Sequence, residues 1–213
     1  MSTTADPHAH GAPAVWPPDR QFGSARPAKL AMWIFLLSDW LTFAGLLLAY
    51  GILRGASTVW RHPGEPSLNI PFTALLTLVL AVSSVTIIRA YDDSARGDRK
   101  GATRWLAITA LGGVLFLIGQ YAEWVGILHP GLLREGLVFG QSAYASTFYV
   151  ITGFHGLHVT AGVLYLLITL ARNLRGVASA NEVELLGLFW HFVDFVWNIV
   201  FVLVYLIPTG SGA

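Results

Sequence analysis

The residues able to do chemistry in this chain are histidines and carboxylates set inside long apolar runs. His155 and His158 lie three residues apart in Thr147-Phe-Tyr-Val-Ile-Thr-Gly-Phe-His-Gly-Leu-His-Val-Thr-Ala-Gly162. His191 precedes Asp194 by the same step in Leu188-Phe-Trp-His-Phe-Val-Asp-Phe-Val-Trp-Asn-Ile-Val200. Gln120 and Glu123 share a third run, and Asp39 stands in a fourth. Imidazole and carboxylate together can bind metal, relay protons or bond one helix to another. At membrane depth an ionisable group costs several kcal/mol unless it faces protein or water, so each of these needs a partner.

The surrounding composition sets where this chemistry sits. Of 213 residues, 54% are hydrophobic and 12% charged, with a mean hydropathy of +0.60. This is the profile of a polytopic all-α membrane protein. Cysteine is absent, which removes thiolate metal sites and disulfides. A formal charge of +1 gives no basis for a nucleic-acid partner, and no phosphate-binding glycine loop is evident.

Five segments reach the roughly 20 apolar residues that a span requires: 30–53, 71–90, 105–128, 144–170 and 185–207. Residues 1–29, which hold His8 and His10, read as a mobile tail, 30–207 as one membrane domain and 208–213 as a short end. Pro63, Gly64 and Pro66 interrupt the 54–70 linker. The run 92–101 reads as a solvated turn, His129-Pro-Gly131 as a break after helix three, and Pro208 with Gly210 as a stop. Arg20, Arg26, Lys29, Arg89, Arg96, Arg99, Lys100, Arg104, Arg172 and Arg175 gather on one side, leaving Arg54, Arg61 and Arg134 on the other. The positive-inside rule then predicts a cytoplasmic N-terminus and an outside C-terminus.

Helical periodicity aligns Glu184, Gly187, His191, Asp194 and Asn198 on one face of helix five, where His191 and Asp194 can bond to each other. The opposite face, of Phe, Val, Leu and Ile, is expected to meet lipid. Helix four carries Thr152, His155, Gly162 and Thr169, with His158 one turn on, and Gly153, Gly156 and Gly162 permit close approach. Helix three carries Thr109, Gly113, Gln120 and Glu123, and helix one Ser38, Asp39 and Thr42. The polar faces of helices three to five are expected to converge on one network, with Asp39 inside it or apart. Three uses remain open at this point: a metal or haem centre of His155, His158, His191 and Glu123; a proton path; or a satisfied interhelical network. His62 and His129, like His8 and His10, fall outside the spans. Trp33, Trp105 and Trp124 suit interfacial anchors, and Trp190 and Trp197 suit packing against a neighbour or an acyl chain.

The residues also resemble a known family. The run 147–162 resembles the signature of subunit III of haem–copper oxidases, as does Trp190-His-Phe-Val-Asp-Phe-Val-Trp197. Gln120-Tyr-Ala-Glu-Trp124, Ser83-Ser-Val-Thr86, Glu184 and Ser38-Asp39 are similar to further family positions, in order, over about residues 29–206. Two departures stand out. The chain has five spans where longer members have seven, which removes one arm of the family's lipid-holding cleft. Asp39 also stands where the family usually carries a carbodiimide-reactive glutamate.

The resemblance implies a non-redox accessory subunit that holds no cofactor or metal itself. Haem and copper would belong to partner subunits, and phospholipid is an expected ligand. It implies packing on subunit I, with subunit II as a further partner, in a bacterial inner membrane, support of proton uptake, and protection during turnover. Under it, Glu123, His155, His158, Glu184, His191, Asp194, Gln120 and Asn198 form a buried structural network. Trp124, Trp190 and Trp197 are lipid or interface contacts. Cytochrome c is the favoured electron donor of the parent complex. The alternatives are a quinol oxidase subunit, a subunit-III-like protein of a nitric oxide reductase system, a stand-alone diiron or haem membrane enzyme, and a proton channel.

Overall fold

A computed structural model describes residues 27–62, 64–126 and 131–207. These residues form α1 (Pro27–Ala56), α2 (Ile70–Ala95), α3 (Arg99–Val125), α4 (Ala143–Leu174) and α5 (Ala180–Val200), and α5 runs on into a π-helical turn, Phe201–Leu206. Five helices are long and apolar enough to cross a membrane, and no strand occurs among the described residues.

Local chemistry explains where the helices begin and end. The Asn69 side chain caps α2 by accepting from the Phe72 amide, and Pro71 sits in the first turn, where its missing N–H is not needed. Asp98 accepts from the Lys100 and Gly101 amides and so starts α3 inside the run expected to be a turn. That run is largely helical, and only Arg96, Gly97 and Asp98 separate α2 from α3. Helix three ends at Val125, short of the expected 128, because Gly126 takes a left-handed conformation with φ 79°. The Leu132 and Leu133 amides then return to the carbonyls of Glu123 and Trp124. His129, Pro130, residues 1–26, Pro208 and Gly210 lie outside the described residues.

α2, α3, α4 and α5 pack in a ring, each against the next, with α5 closing on α2. α1 lies outside the ring, against α4 and α5. In a bilayer, apolar burial supplies little drive for helix association, so close backbone approach and interhelical bonds have to supply it. Both are present. A Cβ on Gly112 would come within 2.8 Å of the Ser83 Cβ, and one on Gly119 within 2.3 Å of Leu76 Cδ2, so two glycines one heptad apart bring α3 tight against α2. Trp190 of α5 fills the centre of the ring between Gly113 of α3 and Gly162 of α4. Gly156 meets nothing, so of the three helix-four glycines it makes no close approach within the chain.

Hydroxyls on α2 act as rungs. Trp190 Nε1 donates to Ser83 Oγ and Trp197 Nε1 to Thr77 Oγ1, each at 2.9 Å, and Thr86 and Thr109 share a 2.7 Å bond. At one end of the bundle Lys29 pairs with Glu184. Arg99 donates to the last carbonyls of α4, at Asn173 and Leu174, and Arg172 grips Glu182 with two bonds. A cation on the final carbonyls of a helix also suits its dipole.

Candidate functional site

The polar side chains do not form one network. They divide into separate groups, kept apart by aromatic rings. The first surrounds Glu123, which is 2% exposed. Thr73 Oγ1 donates to Oε1 at 2.9 Å, while Gln120 Nε2 and Tyr205 O–H donate to Oε2 at 3.1 and 3.3 Å. α2, α3 and the π-helical turn thus meet on one carboxylate. Glu123 also lines a cavity of about 370 Å³ with Ser67, Asn69, Pro71, Leu132 and Glu135. Thr73 and Tyr205 were not singled out in the sequence. Tyr205 in particular depends on the π turn, which alters the angular step between residues at the end of α5.

The second group joins α1 to α4. His158 Nδ1 lies 2.8 Å from the Phe154 carbonyl, and Nε2 lies 3.2 Å from Asp39 Oδ1. A carbonyl can only accept, so Nδ1 carries a hydrogen. Nε2 then faces Asp39 Oδ1 across the two helices, while Asp39 Oδ2 is buried with no hydrogen-bond partner among the described residues. The carboxyl of Asp39, one methylene shorter than glutamate, still reaches across to α4.

His155, one turn away from His158, is fully buried but differently placed. Its ring stacks on Trp197 at 4.9 Å between centroids and 29° between planes, and meets Phe116 edge-on at 5.8 Å. Neither ring nitrogen has a hydrogen-bond partner among the described residues. His155 therefore contributes a flat aromatic surface to the core, where it is held by stacking.

The third group lies on α5. Ser84 Oγ donates to Asp194 Oδ2 at 2.8 Å. The Asn198 amide donates to the Asp194 carbonyl at 2.8 Å and approaches Oδ1 at 3.4 Å. The expected bond between His191 and Asp194 is not formed. His191 instead lines a groove between α1 and α5 with Trp33, Leu36, Trp40, Phe192 and Phe195.

The orientation of α5 reverses the expectation. Its buried residues are Val183, Leu186, Gly187, Phe189, Trp190, Val193, Val196, Trp197 and Val200, so the apolar face is inside. Glu184, His191 and Asp194 are only half-buried, and Asn198 is exposed. The expectation of a buried network therefore fails at Asn198. Trp190 and Trp197, expected to pack against a neighbour or an acyl chain, are enclosed with 0% exposure and pack against the neighbouring helices. Trp124 is half-buried, edge-on to Tyr149 at 5.2 Å.

The three span histidines thus occupy three different surroundings. Among the described residues, no three His, Asp or Glu side chains converge as a metal-holding group. Fold and site together define a multi-span helical membrane subunit whose ionisable groups tie helices to one another. The family model for cytochrome c oxidase subunit III matches residues 19–209, and the chain belongs to this family. It is 38% identical to cytochrome c oxidase subunit 3 of Synechocystis sp. over 178 residues, covering 82% of this chain and 73% of that protein. To cytochrome c oxidase subunit 3 of Corynebacterium diphtheriae it is 36% identical, covering 82% and 85%. To cytochrome bo(3) ubiquinol oxidase subunit 3 of Pseudomonas aeruginosa it is 33% identical, covering 88% of each chain. The resemblance read from the motifs holds. The chain is a subunit III of the haem–copper oxidases and works in a complex with other oxidase subunits.

Proposed function

We propose that this chain is the non-redox accessory subunit of a bacterial terminal oxidase, packed on the haem- and copper-bearing subunit I beside subunit II. In this reading it supports proton uptake into subunit I and prolongs its life during turnover. Its N-terminus lies in the cytoplasm and its C-terminus outside, in the inner membrane, as the clustering of Lys29, Arg96, Arg99, Lys100 and Arg172 at one end of the bundle supports. Phospholipid fills the outer grooves.

One observation carries the accessory role: His155, His158 and Glu123 are each engaged separately within the chain. His158 is taken by Asp39, His155 stacks on Trp197, and Glu123 accepts from Thr73 and Tyr205, each fastening one element to another, with Gln120 of the same helix holding Glu123 in place. A redox subunit would gather its histidines around one centre. Cytochrome c is the proposed donor. The ubiquinol oxidase relative makes a quinol donor the second reading.

The test is a mild-detergent pull-down of the chain from native membranes, with absorption spectra and metal analysis. Haem and copper should co-elute and be lost when the partner chains are stripped away. Haem or metal that stays with the isolated chain would overturn the reading. Oxidation of reduced cytochrome c, as against ubiquinol, by the intact eluate assigns the donor.

A further inference from the structure

The outward face of α5 is the unusual surface of this molecule. Asp194 lies about midway along the 27-residue span Ala180–Leu206, at the depth of the hydrocarbon core, and Asn198 lies one turn beyond it. Both reach the outer surface of the bundle, between Phe195 (56% exposed) and Val202 (48% exposed). The other helices turn plain hydrocarbon outward: Leu37, Leu41 and Leu48 on α1, Leu111 and Leu115 on α3, Leu164 on α4. Outward serine and threonine hydroxyls at mid-span donate to their own backbone, as Ser38 does to the Phe35 carbonyl, Thr42 to Ser38 and Thr160 to Gly156. α5 is different. Asp194 accepts only from a serine hydroxyl and, weakly, from the Asn198 amide, both neutral; that amide spends its main bond on the Asp194 backbone carbonyl, and the side-chain oxygen of exposed Asn198 has no partner among the described residues.

A half-buried carboxylate held only by neutral donors, beside an amide oxygen with no partner, carries a cost at this depth that self-bonded hydroxyls do not. Membrane helices relieve such a cost by bonding to another helix. We propose that the outward stripe of α5, centred on Asp194 and Asn198, is a docking seam for a transmembrane helix of another oxidase subunit. That helix presents a hydrogen-bond donor, neutral or cationic, at the depth of the Asp194 carboxylate. The inference rests on the accessory-subunit reading above and adds to it which face of this chain meets the complex.

Photo-cross-linking in the assembled oxidase tests it. A benzophenone amino acid is placed at Phe195 or Val202, which flank the polar pair and leave it intact, and as controls at Leu111 or Leu115 on α3. Irradiation in native membranes should give a covalent adduct with another oxidase subunit from 195 and 202 and none from 111 and 115. In parallel, Asn198→Leu should reduce the co-purified haem per subunit in a detergent wash series, while Leu115→Ala leaves it unchanged. Labelling of phospholipid alone from 195 and 202, or of a second copy of this chain, would overturn the seam. So would equal subunit adducts from the α3 controls. Failure here, with haem and copper still co-eluting in the pull-down, removes the seam and leaves the proposed function standing. Loss of co-elution removes both.

Discussion

Gly113→Ala tests the central packing most directly. The added Cβ would lie 2.6 Å from Trp190 Cη2 and 2.6 Å from Val163 Cγ2. Carbon atoms rest at roughly 3.5–4.0 Å, so each contact is short by about 0.9 Å or more, on two sides at once. Trp190 has little room to yield: its ring is enclosed, Gly162 of α4 abuts its other edge, and its N–H is tethered to Ser83. Overpacking of this kind costs about 1–3 kcal/mol, while alanine's better helix propensity returns up to about 1 kcal/mol. The expected net loss is about 1–2 kcal/mol, read by SDS titration in mixed micelles with far-UV circular dichroism. Gly156→Ala is the matched control on α4, because a Cβ there meets nothing, and it should be neutral or slightly stabilising. Trp190→Phe removes the ring atoms that clash with position 113, so Gly113→Ala should cost about 1 kcal/mol less in that background. If Gly113→Ala and Gly156→Ala unfold alike, or the cycle is additive, Trp190 is not the plug described here.

Three further outcomes are expected. His155→Phe, which keeps a flat ring against Trp197, should stay within about 1.5 kcal/mol of wild type, while His155→Ala should lose about 3–5 kcal/mol by the same titration. His158→Leu alone strands the Asp39 carboxyl and should destabilise by about 3–5 kcal/mol. The double variant with Asp39→Leu should recover most of that loss, and an equal or larger loss in the double would refute the pairing. Gly126→Ala forces a side chain into the left-handed region and should cost about 1–2 kcal/mol, seen as a lower thermal midpoint of the purified complex.

Much of the fold could be read in the sequence because a span announces itself by length and apolarity. Boundaries were less legible. The cap at Asp98 and the left-handed Gly126 are single-residue signals, and a polar run such as 92–101 can be helical once it leaves the bilayer. The facing of α5 was misread for a physical reason. In water an amphipathic helix turns its apolar side inward, but in lipid both surroundings are apolar, so periodicity separates two faces without saying which is inside. The glycines held the better signal: Gly113 and Gly162 mark a gap sized for a large side chain, and Trp190 fills it. Single stripes were also a poor guide to connectivity. Gln120 and Glu123 do cooperate, but Phe116 and Trp197 stand around His155 and divide what one-dimensional spacing suggested was continuous.

The place of α1 outside the ring bears on how the protein is made. α1 is synthesised before the other described helices, yet it packs chiefly on α4 and α5, which emerge after α2 and α3. Asp39 precedes His158 by 119 residues, a delay on the order of ten seconds at usual translation rates. Through that interval α1 crosses the bilayer with an acid whose mate does not yet exist. Its insertion therefore has to be secured by its own apolar length, and whatever shelters Asp39 meanwhile, the translocation machinery or an early-arriving neighbour subunit, acts as a chaperone for this step. The Asp39–His158 pair can form only once α4 has been delivered, so the seat of α1 is fixed late, by helices that follow it.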